Sequence, residues 1–298
     1  MNILITGATG TVGKHLISHL EQRGTGQRVF YAVRKPALAR DQLPGRTWQI
    51  RQFDFEDELS YRPALQQINK IFLLRPPKLT DVKRQIVPLL EEAKRSQIEH
   101  IVFLSIQGVN ANTWTPHFKI EQAIKEAGLP YTFLRPGFFF QNLHQEMGAD
   151  IRQRDEIFVP AQARVFNFVD AAEVAEVAAL ALTTEGHLNQ SYTLTGTSPI
   201  DYYRVAAALS DALDRGIRYA NPSIPYFLFR KLAQGKPLPF ALVQTVLYRY
   251  TRIPEQERFK HTLQRLLQRP PTGLQAYLEQ NRELFEPKPP LGQNKGTD

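Results

Sequence analysis

Ile3-Leu4-Ile5-Thr6-Gly7-Ala8-Thr9-Gly10-Thr11-Val12-Gly13 is the stretch whose reading decides the fold. Its apolar start reads as a short buried strand, and three glycines spaced by threes then open a helix. Such a turn leaves backbone N–H groups bare at a helix N-terminus, where a dinucleotide pyrophosphate can sit. Gly7 allows the tight turn, Gly10 lets phosphates approach the backbone, and Gly13 lets the helix pack close to the sheet. The spacing is G-x-x-G-x-x-G and only approximates the usual G-x-G-x-x-G. A plain glycine-rich turn is the simpler alternative; the position directly after a first strand, with a second strand following, favours the phosphate site. Gly7, Thr9, Gly10, Thr11, Val12 and Gly13 are therefore the candidate cofactor residues.

Working outward, apolar runs and helical patterns alternate through the first half of the 298 residues. Strands are expected at Asn2–Thr6, Arg28–Val33, Trp48–Phe53, Lys70–Leu74, His100–Ser105 and Tyr131–Arg135, with a further one at Tyr192–Thr195. Helices are expected near Val12–Arg23, Tyr61–Ile68, Asp81–Gln97 and Pro116–Ala127. This alternation predicts an α/β fold with a doubly wound parallel sheet, in which ligands bind beyond the carboxyl ends of the strands. Thr115-Pro116 reads as a helix cap followed by proline in the first turn, and Asp170-x-x-Glu173 as a capping box before Ala171–Leu182. After about residue 150 the alternation loosens. The expected organisation is a Rossmann core over 1–150, a mixed remainder over 151–286 that completes the sheet and forms a smaller, mostly helical substrate lobe, and a disordered tail over 287–298.

Composition narrows the partners. With no cysteine there are no disulfides, thiolate metal sites or cysteine nucleophiles, which suits a reducing cytoplasm. No metal site is expected. The N-terminal apolar run is too short for a signal peptide, and no stretch approaches the length of a membrane span, so no membrane partner is expected. A net charge of +8 comes from scattered basic residues without a clustered basic and aromatic surface, which disfavours nucleic acid. A small-molecule substrate and a monomer or homodimer remain.

The second strand ends Ala32-Val33-Arg34-Lys35-Pro36, with no acid until Asp41. An acid there would bind the ribose hydroxyls of NAD, whereas cations suit the 2′-phosphate of NADP. Arg34 offers a planar fork and Lys35 a point charge; an exposed basic turn is the alternative. NADP(H) is thus the expected cofactor. Asp54 is placed to cap a turn beside an adenine, or is simply a turn former. Leu74-Arg75-Pro76-Pro77 forms a rigid loop where a cofactor ribose would lie, with Arg75 able to meet an anion. Ser105 closes the fifth strand, within reach of a substrate carbonyl or a nicotinamide ribose.

Together with Val33-Arg34 and Val102-Phe103-Leu104-Ser105, four further segments make the chain resemble the NmrA-like branch of the atypical short-chain dehydrogenases/reductases. They are His117-x-x-x-Glu121, Gly128 through Leu134-Arg135-Pro136-Gly137-Phe138-Phe139-Phe140-Gln141-Asn142, Val169-Asp170-Ala171-Ala172-Glu173-Val174-Ala175 and Tyr192-Thr193-Leu194-Thr195-Gly196. Arg269-Pro270-Pro271 and Phe285 extend the likeness to about residue 285. The family holds NADPH-dependent reductases of quinones and other unsaturated molecules, and also dinucleotide-binding redox sensors that contact regulatory proteins. The wider superfamily's usual acid is a tyrosine four residues before a lysine; taking Lys119 as that lysine puts Thr115 in the tyrosine's place.

Ordinary alcohol dehydrogenase chemistry is therefore not expected. Hydride transfer to a quinone needs less from the protein. Phe138, Phe139 and Phe140 are candidates to wall a substrate site or to form core, and Gln141 and Asn142 to orient a carbonyl. His117 with Glu121 reads as a proton-supplying pair or as a surface pair, and Lys119 as a ribose contact. Ser105, His117 and Lys119 are the catalytic candidates. The competing reading is a non-catalytic NADP(H)-binding regulator that acts on a protein partner.

Overall fold

The computed structural model describes residues 1–24, 26–39, 43, 49–249 and 261–287. It divides into two compact units. The first comprises the described residues of Met1–Gly137, Val169–Ser198 and Arg252–Pro271; the second comprises those of Phe138–Phe168, Pro199–Thr251 and Thr272–Asp298. The chain thus enters and leaves each unit more than once. The reason is visible in the first unit: its last sheet strand and the helix before it come from residues beyond 168. Asp41, Trp48 and residues 288–298 of the expected tail lie outside the described residues.

The first unit is built on seven parallel strands: β1 (Asn2–Thr6), β2 (Arg28–Val33), β3 (Gln49–Gln52), β4 (Lys70–Leu73), β5 (His100–Leu104), β6 (Tyr131–Pro136) and β7 (Gln190–Leu194). Their order is β7-β6-β5-β4-β1-β2-β3. Every pair is parallel, with Thr6 beside Ala32, Ile5 beside Phe72 and Leu104 beside Leu134. Strand order reverses at β1, so a crevice opens at the carboxyl ends of β1 and β4.

The inner strands β1, β2, β4 and β5 are apolar on both faces, as a sheet covered by helices on both sides requires, whereas the edge strands β3 and β7 are more polar. Leu4, Phe30, Ile71, Leu73, Ile101 and Phe103 share one core with residues of the helices Tyr61–Leu65, Val87–Arg95 and Pro116–Glu126. The alternate residues Ile3, Ile5, Phe72 and Val102 are equally buried on the opposite face. The helix Thr11–Arg23 packs with Ala171–Thr183, tied by a 3.1 Å hydrogen bond between the His19 ring and the Ala172 carbonyl.

Expected and observed elements differ where proline or a left-handed residue intervenes. The helix expected at 81–97 is split into Val82–Gln85 and Val87–Arg95, since Pro88 has no N–H to carry the ladder through Ile86. The helix expected to reach Ile68 stops at Leu65, ahead of Gln67 at φ 60°. Of the expected capping box, Asp170 Oδ1 does accept the Ala172 N–H at 2.8 Å, while Glu173 Oε1 binds Arg269 at 2.6 Å.

The second unit holds two small sheets and several helices. Phe166–Val169 pairs antiparallel with Pro199–Ile200 and lies beside Phe138–Phe139, and Glu156–Ile157 pairs with Arg218–Tyr219. Its centre is aromatic: Phe138 meets Phe166 at 4.7 Å, and Phe140 stacks on Phe168 at 5.6 Å and on Tyr277 at 4.9 Å. Arg230 pairs with both Asp150 and Glu156 and lies 3.8 Å over the Phe158 ring. Among the described residues no helix is long and apolar enough to cross a membrane.

Candidate functional site

The crevice is shaped by the glycine turn. Gly7 has φ +66°, a conformation L side chains rarely adopt, and a Cβ there would lie 2.8 Å from Leu74 Cδ2. The Gly10 N–H donates to the Gly7 carbonyl at 2.9 Å, closing the turn. A Cβ at Gly13 would run into the Gly7 carbonyl oxygen and lie 2.9 Å from Ala8 Cα. Gly10 is the helix cap residue, has no side-chain cap bond, and the first turn carries no acid. A helix N-terminus without a side-chain cap presents a partial positive charge to an anion.

A threonine that the sequence reading passed over fastens this turn to β4. Thr6 Oγ1 accepts the Leu74 N–H at 2.7 Å and lies 3.1 Å from the carbonyls of Phe72 and Leu74. The following loop is held from within. Arg75 Nη1 donates to the carbonyls of Pro76, Pro77 and Leu79 at 2.8, 3.1 and 2.9 Å, because two prolines leave this segment short of backbone donors. The Nη1 end of the Arg75 guanidinium is thereby spent on its own loop.

Arg75 Nε also donates to His117 Nε2 over a long 3.4 Å, which places the His117 proton on Nδ1. Burial, and then the neighbouring Arg75 charge, push His117 down to about 3. The ring is therefore neutral at physiological pH. Glu121 is not its partner. The Glu121 carboxylate is fully buried and takes a two-point grip from Arg135, Nε at 2.9 Å and Nη2 at 2.5 Å. This pair ties the helix to β6, and the Leu134-Arg135-Pro136-Gly137 segment was its one signal in the sequence. His117 lies instead beside the Phe103 ring, 6.2 Å between centroids.

Ser105 lies just past β5. Its N–H donates to the Leu134 carbonyl at 2.7 Å, whereas its Oγ is buried with no hydrogen-bond partner among the described residues, Ser105 being 2% exposed. An unpaired buried hydroxyl costs about 1–3 kcal/mol, so it marks a site kept for something else. Ser105→Ala should leave thermal stability equal or slightly raised while reducing the stabilisation conferred by added dinucleotide, both readable by calorimetry.

The remaining candidates divide. Arg34 and Lys35 stand exposed at the end of β2. Asp54 forms a turn in which Oδ1 accepts the Glu56 N–H at 3.1 Å. Lys119 is exposed on the helix, and Thr115 Oγ1 donates to the Asn112 carbonyl at 2.8 Å while capping Phe118. Thr115 thus cannot substitute for a tyrosine acid. In the second unit Phe138 and Phe140 belong to the aromatic core, Phe139 and Asn142 are half-buried, and Gln141 is buried.

The neutral histidines also set an acid limit. Burial, with Lys70 and His187, pushes His100 down to about 4. In both rings the unfolded chain binds the proton first, so stability falls as pH drops from about 6.5 towards 4. For His117 the loss between pH 7 and 5 should be about 2 kcal/mol, and urea titrations of His117→Asn should show a correspondingly shallower fall.

A seven-stranded parallel sheet of this order, with a glycine turn and bare helix terminus at the switch point, defines a Rossmann-type α/β protein. The profile of the NmrA-like family matches residues 1–278, and the chain belongs to that family. It is similar to the NAD(P)H azoreductase of Xenophilus azovorans, with 30% identity over 252 residues, 83% of this chain and 86% of that one. Two solved structures share the fold. The Citrobacter sp. triphenylmethane reductase complexed with NADP(H) superposes with a TM-score of 0.79 at 24% identity, covering 94% of this chain and 99% of that one. The Escherichia coli NADPH-dependent quinone oxidoreductase complexed with NADPH gives 0.80 at 23%, again covering 94% and 99%.

Proposed function

We propose that this protein binds NADP(H) and reduces a quinone or similarly electrophilic small molecule. The observation that carries the reading is the uncapped helix N-terminus behind the Gly7–Gly13 turn, at the point where strand order reverses. A Cβ would fill the cradle at Gly13, and Ser105 keeps an unpaired hydroxyl beyond the neighbouring strand. Both features fit a dinucleotide. The azoreductase likeness and the two reductase folds support the same reading.

In this scheme the amides after Gly7 hold the pyrophosphate, and Thr9, Thr11 and Val12 line that turn. Arg34 and Lys35 hold the 2′-phosphate, while Leu74, Arg75 and Asp54 shape the loops on either side. Bound NADPH supplies a hydride. Quinone reduction asks the protein for hydrogen bonds to a carbonyl oxygen as it grows more basic, with the final proton available from water. Ser105 Oγ and the Nδ1–H of a neutral His117 are donors of that kind, and exposed Lys119 is assigned to the ribose.

Calorimetric titration with NADPH and NADH, followed by NADPH oxidation with a soluble benzoquinone, tests this. NADPH should bind at least tenfold tighter than NADH, and Arg34→Ala should remove about tenfold or more of that preference, as loss of a charged hydrogen bond does. Equal affinities would overturn the phosphate assignment. The second reading, a regulator, is favoured by one observation: Thr115 stands in the tyrosine's place with its hydroxyl already committed. Tight NADPH binding without turnover on any quinone or azo acceptor would select it.

A further inference from the structure

Two helices of the second unit are inside out. In Leu238–Arg249 the buried residues are Ala241, Gln244, Thr245 and Tyr248, while Leu238, Phe240, Leu242, Val243 and Leu247 are exposed. Val243 is 57% exposed. The preceding helix Ile224–Ala233, which packs against it, buries Phe227, Arg230 and Lys231 and exposes Tyr226, Leu232 and Phe229, the last at 68%. A helix facing water has the reverse arrangement.

The inward polar faces are fixed by bonds. Gln244 Nε2 donates to Glu146 at 2.5 Å, and Arg230 holds Asp150 and Glu156. Turning either helix over would break these pairs, so the apolar faces stay outward. Clustered exposed apolar side chains of this size mark a contact surface.

Charge selects the occupant. From Arg215 to Pro254 the sequence has no aspartate or glutamate; of its seven lysines and arginines, Arg215, Arg218 and Arg230 are paired with Asp155, Glu156 and Asp150, and Lys231 is buried. Lys236, exposed in the turn between the helices, and Arg249, at the far end of the second, make no ion pair among the described residues. Cations thus stand at both ends of an apolar face about 18 Å long. A second copy of this chain would bring like charge against like, whereas anionic headgroups over an apolar interior match both features.

We infer that the helices Ile224–Ala233 and Leu238–Arg249 dock on a lipid bilayer bearing anionic headgroups. Lying on a bilayer requires no spanning segment, so the expectation of no membrane partner is narrowed to the absence of a span. The surface would give access to lipid-dissolved quinones; that link rests on the proposed function, while the docking does not.

The test is sedimentation of the full-length protein, without cofactor, with vesicles of phosphatidylcholine alone or mixed with phosphatidylglycerol. The protein should pellet with the mixed vesicles and at least tenfold less with phosphatidylcholine. The double variant Phe229→Ser/Phe240→Ser should weaken binding at least tenfold through lost apolar burial. Lys236→Glu/Arg249→Glu should erase the lipid preference, each cation being worth roughly fivefold. Both variants should keep the wild-type melting curve, since these side chains face outward. No pelleting of the wild type, or pelleting unchanged in both variants, would overturn the inference. So would a concentration-dependent dimer, seen by sedimentation velocity and abolished by Phe229→Ser/Phe240→Ser, because the surface would then belong to a second copy.

Discussion

Gly13→Ala is expected to abolish saturable NADPH binding and to lower stability by about 3 kcal/mol, the upper part of the range for forced overpacking. The added Cβ would collide with backbone, the Gly7 carbonyl and Ala8 Cα, and not with a side chain that can swing away. To relieve it, the turn must open or the helix Thr11–Arg23 must lift from the sheet. Opening the turn breaks the Gly10 N–H to Gly7 carbonyl bond that gathers the phosphate-facing amides. Lifting the helix exposes Leu16, Ile17 and Leu20, all buried. Calorimetric titration reads the first consequence and thermal melting the second. Gly13→Ala with wild-type NADPH affinity would place the dinucleotide elsewhere.

Removing Arg135 should be the most damaging single change away from the glycine turn. Glu121 is fully buried, and Arg135→Ala would leave its carboxylate without the two-point partner that allows burial. Breaking a buried pair in this way costs about 3–5 kcal/mol, a large share of an ordinary domain's stability. The double change Arg135→Leu/Glu121→Leu should recover most of that loss, since apolar replacement of a buried pair is often close to neutral. Urea denaturation of the three proteins checks both statements. If Arg135→Ala and the double variant lose equally, packing and not the unpaired carboxylate is responsible.

The two effects differ in how readable they were beforehand. Gly13 declares itself: glycines at 7, 10 and 13 after an apolar strand state a local backbone requirement, and local requirements survive without tertiary information. The same holds for β1, β2 and the helix from Thr11, whose observed bounds lie within a residue of those expected. The Thr115 cap with Pro116 was legible for the same reason.

Glu121 was legible only as a polar residue one helical turn from His117, and that spacing suggested a proton-supplying pair. Its actual partner lies fourteen residues on, across from the helix on β6, where only sheet packing brings Arg135 to it. Spacing along a helix shows which residues share a face, not which neighbour the next element supplies. His117 shows the same gap in its electrostatics. A histidine's ordinary value sits near neutrality, and burial beside Arg75 moves it to about 3, an environment no residue type announces.

By itself, then, the sequence determined a parallel α/β sheet, a glycine turn at its first strand, a basic second strand end and membership of a family of dinucleotide-binding proteins. These rest on short-range backbone rules and on hydrophobic periodicity, which need no knowledge of what packs against what. Tertiary structure alone decided that Arg75 clamps its own loop, that His117 is neutral, that Ser105 keeps an unsatisfied hydroxyl, and that two helices turn their leucines and phenylalanines outward. Each of these depends on burial and on partners distant in sequence, because desolvation and pairing are properties of where a group ends up and not of which group it is.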